Sequence, residues 1–272
     1  MGSTERATFY DQHPFDWVAP GVSEPVEKVV SRPLLELIET LDGDSLVVDV
    51  GCGPGRVLGV LARRGVRCVG LDRSCVSIGL AAKRYDRPGV VGDNLQLPFA
   101  DACADVVISD GVIHHTEDPQ AAFAENCRIL KPSGRMYLAV YKPDGRYPWL
   151  YKYPGALIRG GLRNRLTRIL VLIFALTPYF LLHFWRSKGR RTWAGARNLF
   201  YDYFVTPQVG YLPREIVEGW CAKHGVRVIS YDENRGGNVH SFCLTKDGAV
   251  ESRSDLDHSM SNSLIAASGG VR

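Results

Sequence analysis

The sequence predicts an α/β fold with a doubly wound, seven-stranded and mostly parallel sheet. Short apolar runs rich in β-branched residues alternate with helical patterns over residues 23–142, which is typical of strands covered on both faces. The apolar run Leu46–Val50 leads directly into a glycine-rich turn and a helix, as in the first half of a βαβ unit. Near the carboxyl end, the runs 226–231 and 239–245 flank the glycine-rich stretch 234–238, which predicts an antiparallel hairpin.

The elements follow in order. A helix is predicted from Ser23, which would cap it, to Leu41, and Pro33 is expected to kink or split it. The predicted strands are Leu46–Val50, Val66–Leu71, a short strand after Pro88-Gly89, Ala104–Ser109, Arg135–Tyr141, Val226–Tyr231 and Val239–Thr245. Between the fifth and sixth strands lie some seventy residues, which predict a helical insertion after the fifth strand.

The turn after the first strand carries the pattern Asp49-x-Gly51-x-Gly53-x-Gly55. Glycine has no Cβ, so a ligand can approach the backbone N–H groups there. Asp72 ends the second strand, and a carboxylate at that place accepts both hydroxyls of a ribose. These residues predict a nucleoside cofactor.

The acid in the first strand separates two kinds of cofactor. A dinucleotide fingerprint has the spacing G-x-G-x-x-G, and Asp49 would repel a pyrophosphate. It suits a cationic ammonium instead. With four further segments, the pattern resembles the motifs of class I S-adenosylmethionine (SAM) dependent methyltransferases over about a third of the chain. These segments are 92–99, 105–110, 114–119 and 130–135.

The resemblance implies a Rossmann-like core that binds SAM. In the family an acid at the Asp93 position hydrogen-bonds the adenine amino group, and the backbone of the next residue holds a ring nitrogen. The cofactor-binding residues implied are Tyr10, Asp49, Gly51, Cys52, Gly53, Asp72, Arg73, Asp93, Asn94, Ser109 and Asp110. No set of His, Cys, Asp and Glu residues has metal-ligand spacing, so no metal is predicted.

Five regions follow from this assignment. They are an aromatic lid segment (1–22), the SAM-binding core (23–142), a basic and apolar helical insertion that caps the acceptor site (143–212), a helix and hairpin that complete the core (213–248), and a disordered tail (249–272). The lid role is implied by the family, in which a similar aromatic leader folds over the cofactor.

His114 and His115 are the candidate catalytic residues, because they follow the carboxyl end of the fourth strand. Histidine titrates near neutral pH, which suits a general base. Relatives carry a similar pair whatever their acceptor, which favours a role in packing the loop or shaping the cofactor site. Both roles stay open, as does the atom that is methylated.

The insertion has an unusual charge distribution. Residues 145–201 contain eleven Lys and Arg and no Asp or Glu, so the rest of the chain carries −7 against an overall +4. Within it, Ile169–Trp185 is apolar throughout and is broken by Pro178. In the leading interpretation the insertion forms the acceptor pocket, for a small apolar or aromatic molecule such as one of specialised metabolism, and Phe174, Phe180 and Phe184 would then lie in its wall.

Three alternatives for the insertion remain open. Segments 70–74 and 112–115 resemble the tRNA wobble-uridine carboxymethyl methyltransferases, and the arginines could hold RNA phosphates. The same basic and apolar pattern over 159–200 also suits peripheral contact with a membrane, with a lipid or prenyl-type acceptor. A purely structural subdomain, packed on the sheet or on a second subunit, is the third.

The compartment is predicted from the cysteines and the first residues. Seven cysteines contain no C-x-x-C pair, and most lie in apolar runs, which indicates free thiols in a reducing compartment. Met1–Tyr10 is charged and lacks an apolar segment. We expect a cytoplasmic protein that is peripheral to the membrane if the insertion binds lipid.

Overall fold

The structure is a computed structural model, and it describes residues 9–16, 30–186, 193–233 and 237–248. The predicted start of the first helix at Ser23, the predicted tail 249–272 and most of the predicted lid segment lie outside these residues.

The seven strands form one sheet in the order β3-β2-β1-β4-β5-β7-β6. Their bounds are β1 Leu46–Val50, β2 Arg67–Asp72, β3 Gly89–Val91, β4 Ala104–Asp110, β5 Leu130–Tyr141, β6 Val226–Asp232 and β7 Val239–Lys246. The first five strands pair in parallel, whereas β7 is antiparallel to both β5 and β6. The predicted fold class, with its closing hairpin, is confirmed.

The strand β5 begins earlier than the sequence predicts. Leu130 pairs with Ala104, and the register then shifts before Arg135 pairs with Val106. Ser133 lies inside this irregular stretch with a φ of +62°, a conformation that few residues other than glycine adopt. The alternation of apolar residues begins only after the irregularity, so the pattern alone gave the later start.

Five helices cover the two faces of the sheet. They are α1 Arg32–Glu39, α2 Arg56–Arg63, α3 Cys75–Tyr85, α4 Pro119–Ile129 and, after the insertion, α10 Arg214–Lys223. One apolar core lies between the sheet and α1, α2 and α3, and a second lies between the sheet and α4 and α10. The N-terminus of α1 is capped by Ser31, so Pro33 falls in the first turn, where its missing N–H breaks no helical hydrogen bond.

The insertion is helical and has its own core. Its helices are α5 Tyr147–Lys152, α6 Pro154–Leu162, α7 Arg165–Val171, α8 Thr177–Arg186 and α9 Trp193–Phe200. A π-helical segment, Leu172–Leu176, joins α7 to α8, and a second one, Tyr201–Val205, follows α9. Leu176, Phe200, Tyr201 and Phe204 form the buried centre of this subdomain.

The segment 9–16 connects the insertion with the sheet-covering helices. The carboxylate of Asp16 accepts two hydrogen bonds from the Arg84 guanidinium of α3, at 2.9 and 2.6 Å. Asp11 accepts a 2.7 Å hydrogen bond from the hydroxyl of Ser74, which caps the same helix. On the other side, the Asn198 amide donates to the backbone oxygen of Asp16 at 2.6 Å. The segment is therefore held from both sides.

Candidate active site

A cavity of about 360 Å³ lies at the carboxyl ends of the central parallel strands. This is where ligands bind in open α/β sheets, and the volume lies within the range of small-molecule sites. Ten residues named from the sequence line it: Tyr10, Gly51, Cys52, Gly53, Asp72, Arg73, Asp93, Asn94, Asp110 and His115.

Two glycines of the turn after β1 are needed for different reasons. Gly51 has a φ of +77°, and a Cβ there would lie 2.4 Å from a methyl carbon of Val112. Its glycine is therefore required by packing. Gly53 also has a positive φ, of +52°, but a Cβ there would meet no atom within 4 Å and would project beside the cavity. The open space at Gly53 is what a cradle for a ligand requires.

Asp72 holds the glycine turn in place from the end of β2. One carboxylate oxygen accepts the backbone N–H of Gly53 at 2.8 Å, and the other accepts that of Ser74 at 2.8 Å. Burial raises the pKa of this carboxyl, and the two backbone N–H groups oppose that rise. Each oxygen keeps a further lone pair for a ligand hydroxyl.

Asp93 and Asn94 form the next part of the wall. Asp93 pairs with the guanidinium of Arg73, and its other oxygen accepts the backbone N–H of Leu95 at 3.0 Å. The Asn94 side-chain oxygen is buried and has no hydrogen-bond partner among the described residues. An unpartnered buried acceptor beside a cavity is costly unless a ligand or water satisfies it.

The structure places Asp49 and Ser109 behind the cavity wall instead of on it. Asp49 lies in the middle of the sheet with 2% of its surface exposed, and Ser109 is fully buried. Burial raises the pKa of Asp49 to about 8, and the nearby carboxylate of Asp110 adds to the rise. Asp110 does reach the cavity, where it pairs with Arg56. Neither Asp49 nor Ser109 is exposed to a ligand in this cavity.

The two histidines occupy different environments. His115 lines the cavity, and its Nδ1 lies 2.8 Å from the backbone oxygen of Gln208. Because a carbonyl can only accept, Nδ1 carries the proton and Nε2 is the acceptor. Burial lowers the pKa of His115 to about 4, so the ring is neutral at pH 7. His114 is fully buried, and its ring packs on that of Tyr141 at a centroid distance of 4.0 Å.

His114 is therefore not placed to touch a substrate. Both of its ring nitrogens are buried without a hydrogen-bond partner among the described residues, and it does not line the cavity. Its pKa lies well below the ordinary value because of burial. Its backbone oxygen accepts the N–H of Gly210 at 2.7 Å, so the residue fastens the end of the insertion to the core.

Several lining residues were not identified from the sequence, among them Arg56, Thr116, Tyr141 and Asp202. The Tyr141 hydroxyl, at the end of β5, donates a 2.7 Å hydrogen bond to the Asp202 carboxylate. Burial raises the pKa of Asp202 to about 6. Asp202 is the first acid after the acid-free stretch 145–201, which distinguishes it in the sequence but does not place it in the cavity.

Among the described residues of the insertion, no aromatic side chain lines the cavity. Phe174 has 74% of its surface exposed, and neither Phe180 nor Phe184 is among the cavity residues. Within the insertion, Asp202 of the second π-helical segment reaches the cavity, and the aromatic side chains there come from Tyr10, Phe15 and Tyr141. The earlier expectation for the three phenylalanines is therefore wrong.

These features fit a nucleoside cofactor with a cationic end. Asp72 offers acceptors at the tip of β2, Gly53 leaves space beside the turn, and Asn94 holds an unsatisfied acceptor. The acidic lining also favours a positively charged ligand over a pyrophosphate. The sheet order and the position of the cavity are those of the class I SAM-dependent methyltransferase fold.

Comparisons with known proteins agree with the assignment to a methyltransferase fold. Residues 48–138 match the family model of the methyltransferase domain. The human probable tRNA methyltransferase 9B is 34% identical over 161 residues, which are 53% of this chain and 35% of that protein. The chain spans about a third of the length of the first curated relatives it matches.

Two solved structures share the fold. One structure concerns the conversion of a disulfide bond into a thioacetal group during echinomycin biosynthesis. It has a TM-score of 0.57 and 19% identity, and the alignment covers 96% of this chain and 99% of that one. The other is the magnesium protoporphyrin IX methyltransferase of Synechocystis with bound SAH (TM-score 0.53, 15% identity, 90% of this chain and 99% of that one). Residues 48–138 therefore match a methyltransferase domain, and the chain has the fold of SAM-dependent methyltransferases.

Proposed function

We propose that this protein transfers a methyl group from SAM to a small, fairly apolar or aromatic acceptor. One observation carries the proposal: a single cavity joins the cofactor cradle at Gly53 and Asp72 to a wall of Tyr10, Phe15 and Tyr141. An acceptor held against those rings would lie in the same cavity as the cofactor.

When bound, SAM supplies an activated methyl group on a sulfonium, and the transfer is an in-line displacement. The chain's own contribution is mainly position, which is worth on the order of 7–11 kcal/mol in well-oriented reactions. Asp72 and the turn at Gly53 would hold the nucleoside part of SAM. The buried side-chain oxygen of Asn94 would accept a hydrogen bond from the adenine. Tyr10 and Phe15 of the segment 9–16 line the same cavity, where they would shield bound SAM from water.

Calorimetry and product analysis test the proposal. We expect SAM and its demethylated product, S-adenosylhomocysteine (SAH), to bind in the micromolar range, and NAD not to bind. Protein incubated with isotope-labelled SAM and a pool of small metabolites should yield a labelled small molecule that mass spectrometry identifies. Binding of NAD in preference to SAM would overturn the proposal.

A second candidate places the enzyme on a membrane surface, where it would methylate a lipid or prenyl-type acceptor. The helix from Arg165 to Arg186 is long and apolar enough to cross a membrane by length and composition, and almost none of it is buried. Leu166, Phe174 and Trp185 are 76%, 74% and 78% exposed.

Charge complementarity supports a membrane as the partner of this surface. Among the described residues from 145 to 201 no acid is present, and Arg165, Arg168 and Arg186 lie on the apolar helix itself. Anionic headgroups attract such residues while the apolar side chains enter the interface. A phosphate group without acyl chains would pair with the arginines but would leave the apolar side chains in water.

Co-sedimentation with liposomes tests this candidate. Vesicles with anionic lipid should retain the protein, and the double variant Leu166→Ser/Phe174→Ser should lose binding by about tenfold or more. Ile229→Ser is the matched control, since Ile229 is 57% exposed on β6, outside the insertion. Retention by tRNA in low salt, with no retention by vesicles, would favour RNA as the partner and contradict the membrane.

A further inference from the structure

Asp202 and Tyr141 form a polar pair in the cavity that neither the family motifs nor the sequence pattern assigns. The two side chains come from the π-helical segment after α9 and from the end of β5, 61 positions apart in the chain. The Tyr141 hydroxyl donates to one oxygen of the carboxylate at 2.7 Å. Both side chains line the cavity that holds the cofactor cradle.

The main chain fixes Asp202 firmly. Its backbone oxygen accepts a 2.7 Å hydrogen bond from the hydroxyl of Tyr147 and a second bond, at 3.1 Å, from that of Thr206. Tyr147 is almost fully buried. The carboxylate is thus positioned by the fold before any acceptor enters, as a catalytic group requires.

The groups that face Asp202 are phenols. They are Tyr10 of the N-terminal segment, Tyr141 of β5, Tyr147 of α5 and Tyr211 after the insertion. Burial raises the pKa of each of them above its ordinary value, so none is charged near neutral pH. No Lys, Arg or His lies within salt-bridge distance of Asp202 among the described residues. The carboxylate therefore has a hydrogen-bond donor but no neutralising partner.

We propose that Asp202 is the general base of the reaction, held by Tyr141, and that the acceptor is an O–H or N–H group, not a carboxylate. The proposal rests on the proposed function, since it names the substrate class of the same cavity. A carboxylate acceptor would lie beside a second uncompensated negative charge in a closed space, which is unfavourable. The resemblance to the tRNA carboxymethyl methyltransferases therefore does not extend to the acceptor.

The step balances without any further reactant. The acceptor oxygen or nitrogen forms the new bond to the methyl carbon, and the carbon–sulfur bond breaks with its electron pair going to sulfur. The proton of the acceptor passes to the Asp202 carboxylate and from there to water. No oxidant or reductant is needed.

Asp93 and Asp110 of the cavity pair with arginines and Asp72 holds the glycine turn, so His115 is the remaining candidate, and it is the weaker base. Its pKa of about 4 is further from neutral pH than the value of about 6 for Asp202. A base works best when its pKa lies near the working pH. His115 Nε2 is left to position the acceptor by a hydrogen bond.

Binding of simple probes tests the assignment independently of turnover. In the presence of SAH, phenol and benzylamine should bind wild-type protein at least tenfold more tightly than benzoate. The variant Asp202→Asn keeps the shape, and it should reverse the order of benzoate and benzylamine. Tyr141→Phe is the control for the hydroxyl, and it should keep the preference for benzylamine.

The rate profile provides a second readout. With a phenol or amine acceptor, the rate of methylation should rise with pH around 6 and then level off, because Asp202 must be ionised. Tyr141→Phe should move that rise to higher pH, since the carboxylate loses a donor, and Asp202→Asn should lower the rate at least a hundredfold.

Failure of this assignment can be separated from failure of the proposed function. If SAH does not bind at all, the methyltransferase proposal is overturned. If SAH binds but benzoate is preferred over phenol, or if Asp202→Asn retains the wild-type rate within threefold, only the role of Asp202 is overturned.

Discussion

Replacing Asp49 by Asn should change how the stability of the protein depends on pH. Asp49 is a carboxyl group in the centre of the sheet, 2% exposed, and its Oδ2 has no hydrogen-bond partner among the described residues. Asn has the same size and stays neutral at every pH. The variant therefore removes the titration and leaves the packing nearly unchanged.

The magnitude follows from the pKa. In the folded chain it is raised to about 8, whereas the ordinary value is 3.8. Between pH 5 and 7 the folded state therefore holds one proton at Asp49 that the unfolded state has lost. A raised pKa gives stability that is complete below the unfolded value and is lost as pH rises towards the folded one. The wild type should lose about 1.4 kcal/mol per pH unit relative to the variant over this window.

Urea denaturation at pH 5, 6 and 7 measures this difference directly. Asp72 and Asp202 also have raised pKa values, but both are present in the two proteins, so their contributions cancel in the difference. We expect the stability of Asp49→Asn minus that of the wild type to grow by about 3 kcal/mol from pH 5 to 7. If the stability of the two proteins changed with pH in the same way, Asp49 would be ionised in the folded state and the reasoning would be refuted.

Three further predictions concern the cavity. Asp72→Ala should weaken SAH binding by about 2–4 kcal/mol, because the ribose loses a charged acceptor and Gly53 loses its hydrogen bond; unchanged affinity by calorimetry would remove Asp72 from the site. Gly53→Val should abolish SAH binding and should lose less stability than Gly51→Val, because both side chains lie at a positive φ but only that of residue 51 also meets Val112; urea denaturation and calorimetry separate the two, and equal losses of stability would contradict the cradle. His115→Ala should lower turnover less than about a hundredfold with a similar pH profile, and a larger loss rescued at high pH would make His115 the base.

The cofactor end of the site was predictable because it is local in sequence. The positions of Gly51 and Gly53 relative to the first strand determine the turn, and Asp72 ends the next strand, so parallel pairing brings them together. Asp49 and Ser109 lie behind the cavity wall for a simple reason. They lie on strands that are buried on both faces, and the order of residue types in the sequence does not show which side chains reach the cavity at the end of the sheet.

The acceptor end was not predictable in the same way. Tyr141 and Asp202 meet only because the insertion returns to the core, and nothing in either local sequence records that return. The apolar run 169–185 was predicted to lie over the mouth of the active site or on a membrane surface, because its composition suits burial in either place. In the structure Phe174 points outward, and the insertion builds its core from Leu176, Phe200 and Phe204 instead.

The short segment 9–16 has a consequence for the time that a spent cofactor stays bound. Tyr10 belongs to the cavity wall, while Asp16 is tied to Arg84 by two charge-assisted hydrogen bonds. We expect SAH to leave past Tyr10 as the segment detaches, so its residence time should follow the strength of that ion pair. Salt screens such ion pairs, and the substitution Arg84→Gln removes the ion pair with Asp16. Both changes should shorten the residence time in stopped-flow measurements, and the enzyme would then turn over faster while holding its cofactor less tightly.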